Sequence, residues 1–320
     1  MRSTGRGKTC RVLTYVCAVL AACANACASV LQRKANKDIP HEEQMSLRLV
    51  RDLLRTPLWF AGIAAVTCGF LLQAAALGNG ALAVVEPILV VELPITVVLA
   101  WRVFHGELGR REWLSVVGMT IGLAGLVYVL SPSGGSAGTL AWWQWAVGLG
   151  TAGALLAGLV GWGRRAGDDA ARAGIYGTAT GLGFGVTAAL MKGMTSALDS
   201  GFAHVFAVWQ TYAMVLAGAG SMYLLQNAVN AGRLVAAQPG ITLADPVVSI
   251  LWGVLLFGER VRGGWYLALA VLGVGMIAAS VLTLARSPLL HDDGSGPPDE
   301  AGAGGDYRGA AGAERARLGA

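Results

Sequence analysis

Three carboxylates lie where a carboxylate is expensive. Glu86 and Glu92 fall inside the apolar run EPILVVELPITVVLAWRVFHGE (86–107), and Asp245 falls inside QPGITLADPVVSILWGVLLFGE (238–259). An acid at the centre of a membrane-spanning helix costs ~2.5–3.5 kcal/mol on insertion scales, so a neighbouring helix, a proton or a bound cation must offset it. Prolines accompany the acids: Pro87 and Pro94 in the first run, Pro239 and Pro246 in the second. Proline has no N–H, so the carbonyl four residues earlier loses its helical donor. For Pro94 and Pro246 this is expected to leave the carbonyls of Val90 and Thr242 available. Carboxylates and carbonyls are hard oxygen ligands suited to magnesium or sodium, whereas carboxylates alone also suit proton coupling.

On these grounds Glu92 and Asp245 are the candidate metal ligands. Glu86, Gln238, Gln73 and Gln226 complete the candidate substrate or ion site, and Pro87, Pro94, Pro239 and Pro246 are its expected helix breaks. Gln238 and Asp245 are seven apart, on one helix face. Glu86 and Glu92 are six apart, about 120° around a regular helix. The alternative for each acid is structural, a hydrogen bond to a neighbouring helix that holds the bundle together.

The two runs are copies. Pro87, Pro94 and Glu107 map onto Pro239, Pro246 and Glu259 with a constant offset of 152 residues. Glu92 and Asp245 miss strict equivalence by one residue, since Glu92 matches Ala244 and Leu93 matches Asp245. Further echoes extend the repeat. Leu71-Leu72-Gln73 returns as Leu224-Leu225-Gln226, Gly106-Glu107 with Trp113 as Gly258-Glu259 with Trp265, and the stretch 28–33 resembles 187–192. Paired proline-interrupted apolar segments in two halves are the sequence pointer to a midplane binding site. Facing halves would bring Glu92 and Asp245 to one cavity.

The elements that must position these residues are membrane spans. The chain has 320 residues, 55% hydrophobic and 13% charged, with 46 glycines and a net charge of +5. Soluble domains carry about twice that fraction of charge. The reading is an all-α polytopic membrane protein of about nine transmembrane helices, within a range of 8–10. The spans are 12–32, 58–77, 81–104, 113–130, 140–162, 173–194, 203–225, 231–257 and 265–284. Residues 1–131 form the first repeat, with an amphipathic cytoplasmic segment at 41–57. Residues 132–172 carry linker span 5, 173–286 form the second repeat, and 287–320 are a disordered tail. Spans 1–4 and 6–9 around a single linker span make an inverted internal repeat. The basic start and apolar first run imitate a signal peptide, but the first span is expected to be retained because its end recurs in the second half.

Loop charges give the orientation. The loops at 33–57, 102–112 and 163–172 hold twelve Lys and Arg residues, against three in the loops at 78–80, 131–141, 192–202 and 258–264. The first set and the C-terminus are therefore expected in the cytoplasm, with the N-terminus outside. Insertion of 41–57 as a tenth helix would reverse the N-terminus. Cations confined to such loops speak for a lipid bilayer as partner and against nucleic acid.

Other residues have plainer readings. Glu107 and Glu259 are expected to be caps or loop salt bridges at span ends, and Lys192 and Arg33 to snorkel. Trp142, Trp143, Trp145 and Trp162 fit an aromatic belt. Gly181, Gly183 and Gly185 lie inside a span and read as close helix packing rather than phosphate binding. Cys23 and Cys27 read as small interfacial residues. The chain contains no Walker loop, and its GxSxG string at 134–138 falls in a Ser/Gly/Pro loop between apolar spans rather than on a strand-to-helix elbow, so an enzyme is not expected, and no cofactor.

The repeated units resemble the drug/metabolite transporter superfamily, of EamA-like type, over roughly residues 12–286. The residues that carry the resemblance are the mid-helix prolines, Gly106-Glu107 and Gly258-Glu259 at span ends, and the glycine-rich spans after them. Gln32-Arg33-Lys34, Glu86-Pro87 and Gln238-Pro239 are most similar to the nine-span, NIPA-like magnesium transporter branch. The resemblance implies a secondary transporter in the cell membrane, moving a small solute or a divalent cation such as magnesium by alternating access. Alternatives are a proton-coupled exporter of a small organic metabolite and a non-transporting scaffold. A homodimer is among the expected assemblies.

Overall fold

The computed structural model describes residues 3–37, 57–104, 109–130, 135, 137, 140–231 and 234–285. They form ten helices: α1 (Ser3–Lys37), α2 (Pro57–Asn79), α3 (Leu82–Leu89), α4 (Glu92–Phe104), α5 (Arg110–Leu130), α6 (Trp142–Arg165), α7 (Asp169–Thr195), α8 (Trp209–Ala231), α9 (Leu234–Leu255) and α10 (Trp265–Ala285). Two 3-10 turns, Ser196–Ser200 and Phe202–Phe206, join α7 to α8. Among the described residues five segments are long and apolar enough to cross a membrane: Val12–Gln32, Pro57–Asn79, Leu82–Val103, Arg110–Leu130 and Trp142–Arg165. The chain is therefore an all-helical, multi-pass membrane protein. Helices α7, α8, α9 and α10 are 27, 23, 22 and 21 residues long and occupy the places read as spans 6–9. Large apolar side chains such as Leu114, Leu216 and Val271 face outward, as a lipid solvent requires.

Helix α7 is the hub. It packs against α6, α8 and α9, while α1 packs against α2, α3 and α4. The two sets meet where α3 lies on α9 and α5 lies on α10. Glycine explains the closeness of α7 to α9. A Cβ on Gly177 would lie 2.3 Å from the Ala237 carbonyl oxygen, and one on Gly181 would lie 2.6 Å from that of Ile241. A Cβ on Gly185 would lie 3.0 Å from the Asp245 carbonyl oxygen. Small residues on one face let backbones touch, which is how helices associate where burial from water supplies no drive. Gly183 faces another way, toward Ser221 of α8. The packing reading of this glycine run therefore holds.

Overpacking this seam is predicted to be costly. Gly177→Val should destabilise by at least ~1–3 kcal/mol because the obstacle is backbone. Gly150→Ala, on α6 with open space around it, should stabilise slightly, by up to ~1 kcal/mol. Thermal unfolding of the two purified variants measures the contrast.

Several details differ from the sequence reading. The third span is not one helix: α3 ends at Leu89, Val90 and Val91 form a turn, and α4 begins at Glu92. Across the break Val90 N–H donates to Pro87 O at 3.2 Å, Val91 N–H to Ile88 O at 3.0 Å and Leu93 N–H to Val90 O at 3.1 Å. These tight three-residue steps replace the helical ladder. The Val90 carbonyl is thus not left available by Pro94, because Leu93 supplies the donor. Helix α9, by contrast, runs unbroken through Pro239 and Pro246. Trp142, Trp143 and Trp162 are exposed as a belt would be, but Trp145 is buried. It stacks edge-on with Trp209 at 5.4 Å and Phe257 at 5.8 Å, and packs tilted on Trp252 at 5.8 Å. The amphipathic segment and tenth helix placed at 41–57 lie outside the described residues except for Pro57, which opens α2. The tail at 287–320 and the cap role of Glu107 also lie outside them.

Candidate functional site

The site is built around α3, a helix of eight residues held at its start by a carboxylate from the far end of the chain. Glu259 Oε1 accepts from Leu82 N–H at 2.6 Å, and Oε2 accepts from Ala83 N–H at 2.9 Å. An anion at a helix N-terminus satisfies orphan donors and complements the dipole. The same carboxylate is paired with Lys192 at 2.8 Å, with the two side chains 0% and 6% exposed. Lys192 Nζ also donates to Gly80 O at 2.7 Å and stands 5.7 Å from the Phe257 ring centroid. Lys192 therefore does not snorkel. Its ammonium is consumed by a buried clasp joining α7, the 80-turn, α3 and the loop after α9. Glu259 is a cap and a salt-bridge partner, as expected, but a buried one. Gly253 and Gly135 make room for it, since a Cβ on either would come within 2.3 Å or 2.4 Å of its side chain.

One helical turn past this cap stands Glu86, 4% exposed. Gln73 Nε2 of α2 donates to Glu86 Oε1 at 3.0 Å. The charge that acts on Glu86 is Asp245 of α9. Asp245 accepts from Ser249 Oγ at 3.5 Å, the long limit of a hydrogen bond. Among the described residues neither acid has a basic partner. Two acids from the two halves of the chain thus lie on helices that pack together, and the side chains that donate to them are neutral. Such a pair is relieved by a shared proton or by a cation.

Glu92 belongs elsewhere. It is the first residue of α4 and takes hydrogen bonds from Asn25 and from Ser29 Oγ, the latter at 3.5 Å, both on α1. Asp245 thus acts on Glu86, while the hydrogen-bond partners of Glu92 are on α1, and the two acids of this segment stand on either side of the Val90–Val91 break. Gln238 Nε2 points to Thr242 Oγ1 of its own helix at 3.5 Å. Gln226 is exposed on α8 and joins neither centre, unlike its repeat mate Gln73. Asn25 and Ser249 were not singled out from sequence. The available signal was a polar side chain on the face of α1 that also carries Ala18, Ala21, Ala22 and Ser29, and one four residues after an acid in α9.

No protein-family model matches the chain, and no solved structure matches it. It is similar to an uncharacterised protein of Corynebacterium glutamicum, 27% identical over 286 residues, covering 86% of this chain and 95% of that one. The similarity thus runs through both groups of helices rather than through a single shared segment.

Proposed function

We propose that the protein is a secondary carrier that moves a small cationic solute or a divalent cation, magnesium being the first candidate, by alternating access. The observation that carries this reading is the juxtaposition of a buried Glu86 with a half-buried Asp245, one acid from each half on helices that pack together beside a broken helix, without a basic partner among the described residues. Two negative charges and the neutral oxygen of Gln73 suit a doubly charged hard cation. The packing supports an inverted repeat. Each contact in one half has a mate in the other: α1 with α2 answers α7 with α8, and α1 with α3 and α4 answers α7 with α9. The contacts α3–α9 and α5–α10 pair each element with its own repeat mate, as elements beside a pseudo-twofold axis must. That arrangement favours the EamA-like superfamily reading and two half-bundles rocking about a central site.

The Lys192–Glu259 clasp lies one helical turn from Glu86 along α3, and on this reading it closes one end of the path. Loop charges assign it to the outer face, with the C-terminus in the cytoplasm. A proton shared by the two acids supports a second reading, export of an organic metabolite against proton entry. The test is uptake into proteoliposomes holding the full chain, with a magnesium indicator in one arm and a pH indicator with a panel of organic cations in the other. Magnesium entry that saturates supports the first reading. Solute-dependent proton movement without magnesium flux supports the second. A folded protein that moves nothing in either arm rejects both and leaves a scaffold.

A further inference from the structure

Glu92 is half-buried and hydrogen-bonded to α1, and its surroundings differ in charge from those of Glu86. Here one carboxylate stands among neutral groups: the Asn25 amide, the Ser29 hydroxyl and, one turn along the same face of α4, Thr96. Among the described residues it forms no ion pair. Asn25 is fixed in place from behind. Its Oδ1 occupies the space left by Gly69 of α2, where a Cβ would lie 2.1 Å away, and this turns the amide N–H toward Glu92.

Thr96 is the second observation. Thr120, Thr178, Thr180, Thr187 and Thr283 each give their hydroxyl to the carbonyl four residues back, the ordinary habit of helical threonine. Thr96 Oγ1 does not; it is buried with no hydrogen-bond partner. A buried hydroxyl that forgoes the bond its own helix offers is one that something else is meant to satisfy.

We infer that Glu92, Ser29 and Thr96 form a second cation site, separate from the Glu86–Asp245 centre, that binds one hard monovalent cation of the sodium class, with Asn25 orienting the carboxylate. The charge count selects the ion. A single carboxylate among neutral oxygens is neutralised by one positive charge, whereas a divalent ion would leave an uncompensated charge at the helix interface. Hydroxyl oxygens are hard ligands that a metal cation uses and a bare proton does not need. The Val90–Val91 break lies between the two centres, so occupancy of one can bias the helix that carries the other. That coupling rests on the carrier reading; the binding of sodium does not.

The experiment is thermal unfolding of the full chain in detergent, titrated with sodium chloride against choline chloride at constant ionic strength. The wild type should show a saturable rise in Tm with sodium. Thr96→Val keeps the shape and removes the hydroxyl, and should move the midpoint to about tenfold higher sodium or more. Ser29→Ala should act in the same direction, and Glu92→Gln should remove the response. Responses in Thr96→Val and Glu92→Gln equal to the wild type would overturn the site. So would a choline response equal to that of sodium, or a Glu92-dependent response to pH with none to sodium. If Glu92→Gln does not fold, the Thr96→Val midpoint alone decides. Failure of cargo uptake with the sodium response intact would reject the carrier and leave this site standing.

Discussion

Replacing Glu259 by alanine is expected to cost about 3–5 kcal/mol of folding stability, the usual penalty for removing one member of a buried ion pair. Three groups lose their partner at once. Lys192 is left as an ammonium in a 6%-exposed position, and the N–H groups of Leu82 and Ala83 lose the carboxylate that caps α3. Each unsatisfied buried donor adds about 1–3 kcal/mol to the cost of a truncation. The graded series follows from this count. Lys192→Met should be milder, because Glu259 keeps its two backbone donors. The double variant Lys192→Met with Glu259→Met should recover part of the loss, since the stranded charge is gone but the uncapped helix remains. Glu259→Gln should fall between wild type and alanine, with one amide oxygen still able to accept. Thermal unfolding of the four variants, followed by the fluorescence of Trp145 and Trp252 beside the clasp, reads the order. A double variant as stable as wild type would mean that the cap contributes little and that the pair was a local ion bridge only.

The sequence disclosed the elements far better than their contacts. Apolar runs, paired prolines and the 152-residue offset located the helices and marked α3–α4 and α9 as related, because periodicity and composition are local properties. Whether a proline breaks its helix is decided by neighbours. Pro94 sits after a turn that α1 and α9 pack around, while Pro239 and Pro246 stay inside a helix whose backbone is pressed against the glycines of α7. Lys192 illustrates the same limit. A lysine at a span end ordinarily reaches for water, and only the arrival of Glu259, 67 residues later, makes burial tolerable. Asp245 was assigned to Glu92 by sequence register, which differs by one residue. In the fold, α9 packs on α3, which carries Glu86, the exact repeat mate of Gln238, and α1 supplies the hydrogen-bond partners of Glu92. Register along the chain could not show which face of a broken helix turns toward which neighbour.

On the proposed carrier reading, Glu86→Gln and Asp245→Asn are expected to abolish transport while sparing the fold, and this separation is what distinguishes a binding centre from a structural one. The stability side follows from the hydrogen bonds. A glutamine at 86 can still accept from Gln73 Nε2, and an asparagine at 245 can still accept from Ser249. Each change removes a desolvated charge that the other acid repels, so the variants should unfold at or above the wild-type temperature. The transport side goes the other way. Truncating one partner of a buried, desolvated charge interaction costs about 2–5 kcal/mol of binding, which is roughly 30- to 4,000-fold in affinity. If magnesium is the cargo, as proposed, its uptake into proteoliposomes should therefore fall below detection at concentrations that saturate the wild type. The double variant should add little to either single one, because a doubly charged ion needs both acids and losing the first already removes the site. Gln73→Leu should lie between, strongly destabilising, since it strands the Glu86 carboxylate without a donor, and impaired in uptake for the protein that remains. Were Glu86→Gln to unfold readily while the surviving fraction transported normally, the acid would be a structural tie between α2 and α3, and the path would have to be sought along α1 and Glu92 instead.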